Sequence, residues 1–256
     1  MRCSHPEPVA VVTAVAGALA LTAGRGRGTV WVVLAILAGQ LYVGWSNDYL
    51  DRNRDRIAGR RDKPIAADRI GARTVGVSAL IALVAAVALS FASGAVAALV
   101  HVAALASASA YNLGLKRTLF SALPYAFSFA MVPAFVTLGL PHSHWPPAWV
   151  MAAAALIGVG GHFAQSRPDV VADRLQGDIG LPQLAGDRAS AVLAAVFLAV
   201  GAAVIAAGTR SLVPLIAVVP VPAVVLAPPT AAYRLTLLIA VFAVGAFLLN
   251  GGSLAG

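Results

Sequence analysis

The residues best suited to chemistry in this sequence are its nine aspartates, and all nine lie in two windows, positions 48–68 and 169–187. The first window opens with the pattern N-D-x-x-D-x-x-x-D. Because offsets of three and four residues fall on one side of a helix, the pattern predicts one polar face if the preceding helix continues through it. The residues of this face are Asn47, Asp48, Asp51 and Asp55.

The second window repeats the offset of four at Asp169 and Asp173, with Gly177 one turn further on and Asp178 directly after it. Carboxylates from both windows would repel one another unless a cation lay between them. Mg²⁺ prefers oxygen ligands and usually takes one or two carboxylates together with substrate phosphate oxygens. The pattern therefore predicts Mg²⁺ bound by Asp48, Asp51, Asp55, Asp169 and Asp173 around a diphosphate. The alternative is a solvated loop in which Asp51 and Asp55 pair with Arg52, Arg54 and Arg56.

The composition shows which elements must hold these aspartates. Of the 256 residues, 60% are hydrophobic and 11% are charged, with a mean hydropathy of +0.86. Soluble domains are about one quarter charged, so the composition excludes a soluble globular protein. The single cysteine, Cys3, excludes a disulfide framework and a cysteine-based metal cluster.

Apolar runs of 16 to 21 residues recur along the chain, and each is long enough to cross a bilayer as a helix with help from its flanks. They are apolar on every face, which argues against membrane strands. We expect an all-α integral membrane protein, a single domain over residues 1–256. Its nine transmembrane helices lie near 9–24, 29–47, 74–92, 94–112, 119–139, 147–165, 189–208, 212–228 and 235–251.

The charges divide unevenly between the two ends of such a bundle. With nine spans, one end carries fifteen of the eighteen Lys and Arg residues and all ten acidic residues. The positive-inside rule places that end, with the N-terminus and both aspartate windows, in the cytoplasm. We expect a multi-pass protein of a bacterial cell membrane. Because the basic residues form no soluble arm or aromatic-interleaved patch, we expect no nucleic-acid partner.

Cations that could neutralise a departing diphosphate follow the first window and the fourth helix. Lys116 and Arg117 stand out because they are adjacent and because the chain has only two lysines. Most of the other basic residues at this end are explained equally well by membrane orientation. The candidate substrate-binding residues are Asn47, Lys63, Arg69, Tyr111, Asn112 and Arg117, and Lys116 is a candidate catalytic residue.

Four motifs in this order resemble the UbiA-type membrane polyprenyltransferase superfamily, and the resemblance covers nearly the whole chain. The motifs are N-D-x-x-D-x-x-x-D (47–55), D-K-P-I-A-A-D-R-I (62–70), Y-N-L-G-L-K-R (111–117) and P-D-x-x-x-D-x-x-x-G (168–177). The resemblance implies a nine-helix fold and Mg²⁺-dependent transfer of a prenyl group from an isoprenyl diphosphate. It also implies that the five aspartates bind metal and that Lys116 and Arg117 hold the diphosphate.

The sequence departs from the family pattern at two places. Gly177 occupies the third position of the second motif, so Asp178 stands one residue late for a ligand. Gln40 lies where members that use carboxylated aromatic acceptors often carry a basic residue, which disfavours such an acceptor. The acceptor is therefore expected to be an electron-rich aromatic or lipophilic molecule, with membrane lipid as a further partner.

Several roles stay open at this level. Tyr42 and Trp45 either stabilise a carbocation or belong to the interfacial belt. His162 is either a base or a packed core residue. A terpene cyclase would need the same metal site as a prenyltransferase. A transporter is less compatible with the sequence, because the inner spans contain no acidic residue.

Overall fold

The computed structural model describes residues 6–175, 177–249 and 254, and over these residues the protein is helical without strands. Eleven α-helices are described. They are α1 Pro6–Thr22, α2 Gly28–Ile57, α3 Ala72–Phe91, α4 Ala95–Leu113, α5 Leu123–Leu138, α6 Ala148–Ser166, α7 Val170–Leu175, α8 Leu181–Ala185, α9 Asp187–Thr209, α10 Val221–Leu226 and α11 Pro229–Leu249.

The helical bundle agrees with the nine apolar runs. Six helices are long and apolar enough to cross a membrane, namely α2, α3, α4, α6, α9 and α11, and the apolar segments 6–22, 123–138 and 213–226 are shorter. The all-α fold predicted from the sequence is thus confirmed. The eighth span departs from a regular helix, since it is a 3₁₀ segment, Val213–Val218, followed by α10. Pro214, Pro220 and Pro222 explain the break, because proline removes a helical hydrogen bond and clashes with the preceding turn.

Helix α2 positions the first aspartate window. Its 30 residues span about 45 Å, whereas the hydrocarbon core of a bilayer is roughly 30 Å thick. The C-terminal turns of α2 therefore project past the apolar layer, and they carry Asp48, Asp51 and Asp55. Helix α2 therefore continues through the N-D-x-x-D-x-x-x-D pattern, as the predicted polar face requires.

Contacts at the two ends of the bundle agree with the alternation of loops expected from nine spans. At one end Arg25, after α1, donates a hydrogen bond to Ser93, after α3, over 2.7 Å. At the other end Glu7 of α1 pairs with Arg234 of α11 over 2.9 Å, and the loops after α2, α4 and α6 meet there. The two aspartate windows thus reach the same end of the molecule.

Candidate active site

A polar cavity of about 410 Å³ opens at this end, between α2, α4, α5, α6 and the segment 167–185. Residues from both aspartate windows line it together. Ten of the predicted site residues belong to its lining: Asn47, Asp51, Asp55, Lys63, Tyr111, Asn112, Lys116, Arg117, Asp169 and Asp173.

Asp51 lies at the centre of the first aspartate cluster. One of its carboxylate oxygens pairs with Nζ of Lys116, and the other, Oδ1, lies 3.5 Å from a guanidinium nitrogen of Arg117. The Asp51 side chain is 15% exposed, and its Oδ1 is buried and accepts no hydrogen bond. These partners lie 65 and 66 residues away in the sequence, so Asp51 does not pair with the arginines beside it on α2.

Asp48 and Asp55 flank Asp51 on the same helix. Asp48 is buried and pairs with Lys63 Nζ over 2.7 Å. Asp55 is also buried and lines the cavity. Asp48 itself is absent from the cavity lining, whereas its partner Lys63 belongs to it.

The second cluster rests on shorter elements. Asp169 ends a 3₁₀ turn, Arg167–Asp169, and Asp173 lies in the six-residue helix α7. Gly177 then has a φ of +74°, a left-handed conformation that glycine adopts without strain. Residue 177 is a glycine and carries no carboxylate, and Asp178, directly after this turn, supplies the next one.

Arginines join the second cluster to the first. Arg60 Nη1 lies 3.0 Å from Asp169, and Asp178 lies 2.9 Å from both Arg54 and Arg117. Asp178, a doubtful ligand from the sequence, is therefore a salt-bridged member of the cavity wall. Arg117 contacts Asp51 as well as Asp178, so one guanidinium bridges the two windows.

Asp173 is held by an amide instead of a cation. Nε2 of Gln183, in α8, donates a hydrogen bond to Asp173 Oδ2 over 2.7 Å. Burial, together with the nearby charge of Asp169, raises the pKa of Asp173 to about 6. A positive charge near Asp173 would favour its ionised form.

Arg167 fixes the segment that carries the second cluster. Its guanidinium is 3% exposed, pairs with Asp187 over 2.8 Å and donates to the carbonyl of Val224 over 2.8 Å. These bonds tie the end of α6 to the start of α9 and to α10. The irregular eighth span therefore supplies an open carbonyl that a regular helix would keep within its own hydrogen-bond ladder.

Two asparagines form a polar patch of the cavity wall. Asn47 Nδ2 donates to Asn112 Oδ1 over 3.3 Å, and Asn112 Nδ2 donates in turn to Ser46 Oγ and to the carbonyl of Val43. The bond between Asn47 and Asn112 joins the first motif (47–55) to the third (111–117). Arg69, in contrast, is exposed and absent from the cavity lining, so the structure does not bring it to the other candidates.

Three residues with open roles lie outside the cavity lining. Tyr42 hydrogen-bonds to Ser109, and Trp45 packs against Ile65 and Val75. His162 is 1% exposed, with Nε2 3.0 Å from Ser121 Oγ. Their contacts favour packing roles.

The aromatic side chains that do line the cavity are Tyr111, Tyr125, Phe129 and Tyr233. Tyr111 and Tyr125 meet edge to face, with ring centroids 5.2 Å apart, and the Tyr125 hydroxyl donates to Gln165 over 3.0 Å. Three of these four aromatics, Tyr125, Phe129 and Tyr233, were not predicted as site residues from the sequence, nor were Arg54, Arg60 and Gln183. Only Arg54 had a usable signal, because it lies seven residues after Asn47 and so shares the polar face of α2.

The donor set of the cavity fits Mg²⁺ in type. The acidic side chains that line it are aspartates, which offer the oxygen atoms that Mg²⁺ prefers. One of these atoms, the buried Oδ1 of Asp51, accepts no hydrogen bond. Over the described part of the chain, no three acidic or histidine side chains converge on one point. Such a site suits an ion that takes one or two carboxylates and completes its shell with phosphate oxygens and water.

Several solved structures are similar to this chain over nearly their whole length. A UbiA homolog from Aeropyrum pernix K1 superimposes with a TM-score of 0.73 at 16% identity, covering 93% of this chain and 97% of that one. A UbiA homolog from Archaeoglobus fulgidus, bound to GPP and Mg²⁺, gives a TM-score of 0.69 at 15% identity, covering 97% and 98%. A digeranylgeranylglyceryl phosphate synthase gives 0.69 at 15% identity, with the same coverage. No curated protein sequence matches the chain.

The six long apolar helices and the charged cavity at one end of the bundle define a multi-pass helical membrane protein. The profile of the UbiA prenyltransferase family matches residues 10–250. The chain therefore belongs to the UbiA prenyltransferase family.

Proposed function

We propose that the protein ionises an isoprenyl diphosphate with the help of Mg²⁺ and transfers the prenyl group to an electron-rich aromatic or lipophilic acceptor. The observation that carries the proposal is the bridge between the windows, in which Arg117 contacts both Asp51 and Asp178 and Arg60 contacts Asp169. Carboxylates and cations that alternate around one cavity match a ligand made of metal cations and a polyanion.

The proposed metal ligands are Asp48, Asp51, Asp55, Asp169 and Asp173. Bound Mg²⁺ would supply electrostatic stabilisation of the charge that develops on the leaving diphosphate. The homologs from Archaeoglobus fulgidus, which were solved with DMAPP or GPP and Mg²⁺, support this ligand class. For Asp48 to bind the metal, Lys63 would have to give up its ion pair with it, since Asp48 pairs with Lys63 and does not itself line the cavity.

Lys116, Arg117 and Lys63 are proposed to hold the diphosphate. Each is a cavity-lining cation, and Lys and Arg bind phosphate oxygens through charge-assisted hydrogen bonds. When the bond between carbon and the diphosphate oxygen breaks, its electron pair leaves with the diphosphate. Lys116 and Arg117 would then stabilise the added negative charge, while Asn47, Tyr111 and Asn112 line the neighbouring wall.

The aromatic residues of the cavity are proposed to face the allylic cation. Tyr111, Tyr125, Phe129 and Tyr233 present rings, and aromatic faces attract cations by about 1 kcal/mol or more when water is excluded. An electron pair of the acceptor then forms the new bond to the allylic carbon, and an aromatic acceptor afterwards loses a proton.

We further propose that this end of the bundle faces the cytoplasm of a bacterial cell. The support is the excess of basic residues at this end, fifteen of eighteen. A reporter fused after Ala227, in the connection before α11, and another placed after Arg210 should report opposite sides of the membrane. Reporters on the same side would refute the topology.

Purified protein incubated with an isoprenyl diphosphate and Mg²⁺ tests the function. We expect pyrophosphate release that requires Mg²⁺ and, with membrane extract as the source of acceptor, a prenylated product in the mass spectrum. A cyclised hydrocarbon formed without extract would identify a terpene cyclase instead. No pyrophosphate release from any chain length would contradict both activities.

A further inference from the structure

The four aspartates of the second window differ in the kind of partner that holds them. Three of them pair with arginines: Asp169 with Arg60 over 3.0 Å, Asp178 with Arg54 and Arg117 over 2.9 Å, and Asp187 with Arg167 over 2.8 Å. Asp173 pairs with no cation in the described part of the chain, and its partner is the amide of Gln183. An arginine side chain does not lose its charge in proteins. A metal ion has to compete with a guanidinium at the other three carboxylates, whereas Asp173 is open to a cation without that competition.

The side-chain amide of Gln183 is buried and is bonded at both ends. Its Nε2 donates to Asp173 Oδ2 over 2.7 Å, and its Oε1 accepts from the backbone N–H of Gly180 over 3.2 Å. Because the amide nitrogen donates and the amide oxygen accepts, the N–H of Gly180 fixes which end of the amide faces Asp173. The second oxygen of that carboxylate, Asp173 Oδ1, has no hydrogen-bond partner among the described residues, and Asp173 lines the cavity. Oδ1 is therefore the oxygen left for a metal.

The backbone around Gln183 is fixed to other parts of the site. Arg174, in α7, donates from Nε to the backbone carbonyl of Gln183. Gly180 lies so close to the segment after α4 that a Cβ atom there would overlap the carbonyl oxygen of Lys116, a residue proposed to hold the diphosphate. A side chain supported in this way loses little further freedom when a ligand binds, and that favours binding.

We propose that Gln183 is a positioning residue for the metal: its neutral amide orients Asp173 through Oδ2 and leaves Oδ1, with the charge of the carboxylate, to Mg²⁺. This inference rests on the proposed function, because it concerns the metal of that same site. Residues that hydrogen-bond to a metal ligand orient it, and their loss typically lowers metal affinity or activity by about 10- to 100-fold. A cation in place of Gln183 would also orient Asp173 but would neutralise it, as Arg60 does for Asp169.

Two substitutions at Gln183 separate orientation from charge. Gln183→Met keeps the approximate length of the side chain but removes both of its hydrogen bonds. Gln183→Lys keeps a donor for Asp173 and adds a positive charge that competes with the metal. Ser190→Ala is the matched control, since Ser190 Oγ donates to the carbonyl of Pro182 in α8 over 3.1 Å and Ser190 does not line the cavity. This control loosens α8 without removing the bond between Gln183 and Asp173.

The experiment measures the Mg²⁺ concentration that gives half of the full effect, in two ways. One is the rate of pyrophosphate release from the isoprenyl diphosphate that the wild type cleaves fastest. The other needs no turnover and is the rise in melting temperature as Mg²⁺ is added with inorganic pyrophosphate. We expect Gln183→Met to raise this concentration about 10- to 100-fold in both measurements, and Gln183→Lys to raise it further. At saturating Mg²⁺ the rate of Gln183→Met should return towards the wild-type value, because Asp173 itself is intact. Ser190→Ala should at most lower the melting temperature, with an unchanged Mg²⁺ dependence.

The Mg²⁺ dependence of the Gln183 variants decides the outcome. If Gln183→Met keeps the wild-type half-saturating concentration, or loses rate equally at every Mg²⁺ concentration, Gln183 has a structural role only and the proposal is wrong, while the prenyltransfer proposal survives. A Gln183→Lys protein that needs no more Mg²⁺ than the wild type would refute the role of the neutral amide, and this variant carries the test if Gln183→Met does not fold. A wild-type protein that releases no pyrophosphate refutes the proposed function. The melting temperatures with Mg²⁺ and inorganic pyrophosphate then still decide the role of Gln183.

Discussion

The two aspartate clusters face the same cavity but are built differently. Asp48, Asp51 and Asp55 lie on one continuous 30-residue helix, and lysines pair with the first two of them. Asp169 and Asp173 lie on a 3₁₀ turn and a six-residue helix, and their partners are an arginine and a glutamine.

The difference has a physical consequence. In α2 the hydrogen-bonded helix itself fixes the spacing of the carboxylates, so a substitution there changes the site and little else. The second cluster depends on side-chain bonds to other elements, such as Arg167 with Asp187 and Val224. We therefore expect substitutions in the first cluster to lower activity mainly by removing charge. Activity at the second cluster should also fall when residues that hold its backbone in place, such as Arg167, are replaced.

The largest effect is expected at the centre of the first cluster. Asp51→Asn keeps the size of the side chain but removes the charge that faces Lys116 and Arg117. We predict a loss of at least about 100-fold in pyrophosphate release, the size of effect seen when a group that stabilises charge is removed. Thermal unfolding should show that the variant is folded. A rate near that of the wild type would exclude Asp51 as a metal ligand.

The next largest loss of activity is expected when Arg167 is replaced. Arg167 fixes the segment that carries Asp169 and Asp173, so its removal should displace these two carboxylates. Arg167→Met leaves a buried carbonyl at Val224 without its donor, at a cost of about 1–3 kcal/mol in unfolding free energy. The KM for the diphosphate should rise, because Asp169 and Asp173 lose their fixed position. Arg167→Lys should restore part of the lost unfolding free energy and bring the KM part of the way back to the wild-type value. An unchanged KM with a lowered melting temperature would show a purely structural role.

A smaller effect is expected at the turn after α7. Gly177→Ala puts a side chain on a residue with a φ of +74°, which costs about 1–2 kcal/mol, although nothing lies near the new Cβ. The turn should relax and move Asp178 away from Arg54 and Arg117. We expect a several-fold slower reaction, and Gly177→Asn, which tolerates this conformation better, should be closer to wild type. Equal rates for all three proteins would show that the turn does not position Asp178.

The smallest effect is expected for a charge outside the cavity. Asp68 pairs with Arg56 over 2.6 Å, but both side chains are more than half exposed. Exposed pairs contribute little to stability, and neither residue lines the cavity. Asp68→Asn should change the rate by less than about twofold. A large loss would mean that the functional surface extends beyond the described cavity.

Much of the fold could be predicted from the sequence because a membrane imposes strong rules. Spans must be apolar and of fixed length, so nine runs were visible, and the side of each loop followed from their number. The break in the eighth span was also encoded, in Pro214, Pro220 and Pro222, but a hydropathy pattern does not distinguish a broken span from a regular one.

The candidate site could be predicted less completely. The aspartates were found because their offsets match a helix that does continue to Ile57. Lys116 was also found, as a cation beside Arg117, but its pairing with Asp51 and that of Gln183 with Asp173 were not, because both partners approach from other elements and no local spacing encodes such contacts. Arg69 shows the opposite case, since it is close to the motif in sequence but is exposed and does not line the cavity.

The central claim is that the two clusters act on one bound substrate, and a double-mutant cycle tests it most directly. Pyrophosphate release with Mg²⁺ should be measured for wild type, Asp51→Asn, Asp173→Asn and the double variant. Residues that act as one unit show strongly non-additive effects. We predict that the double variant is hardly slower than the slower single variant. Losses that multiply would contradict a shared site.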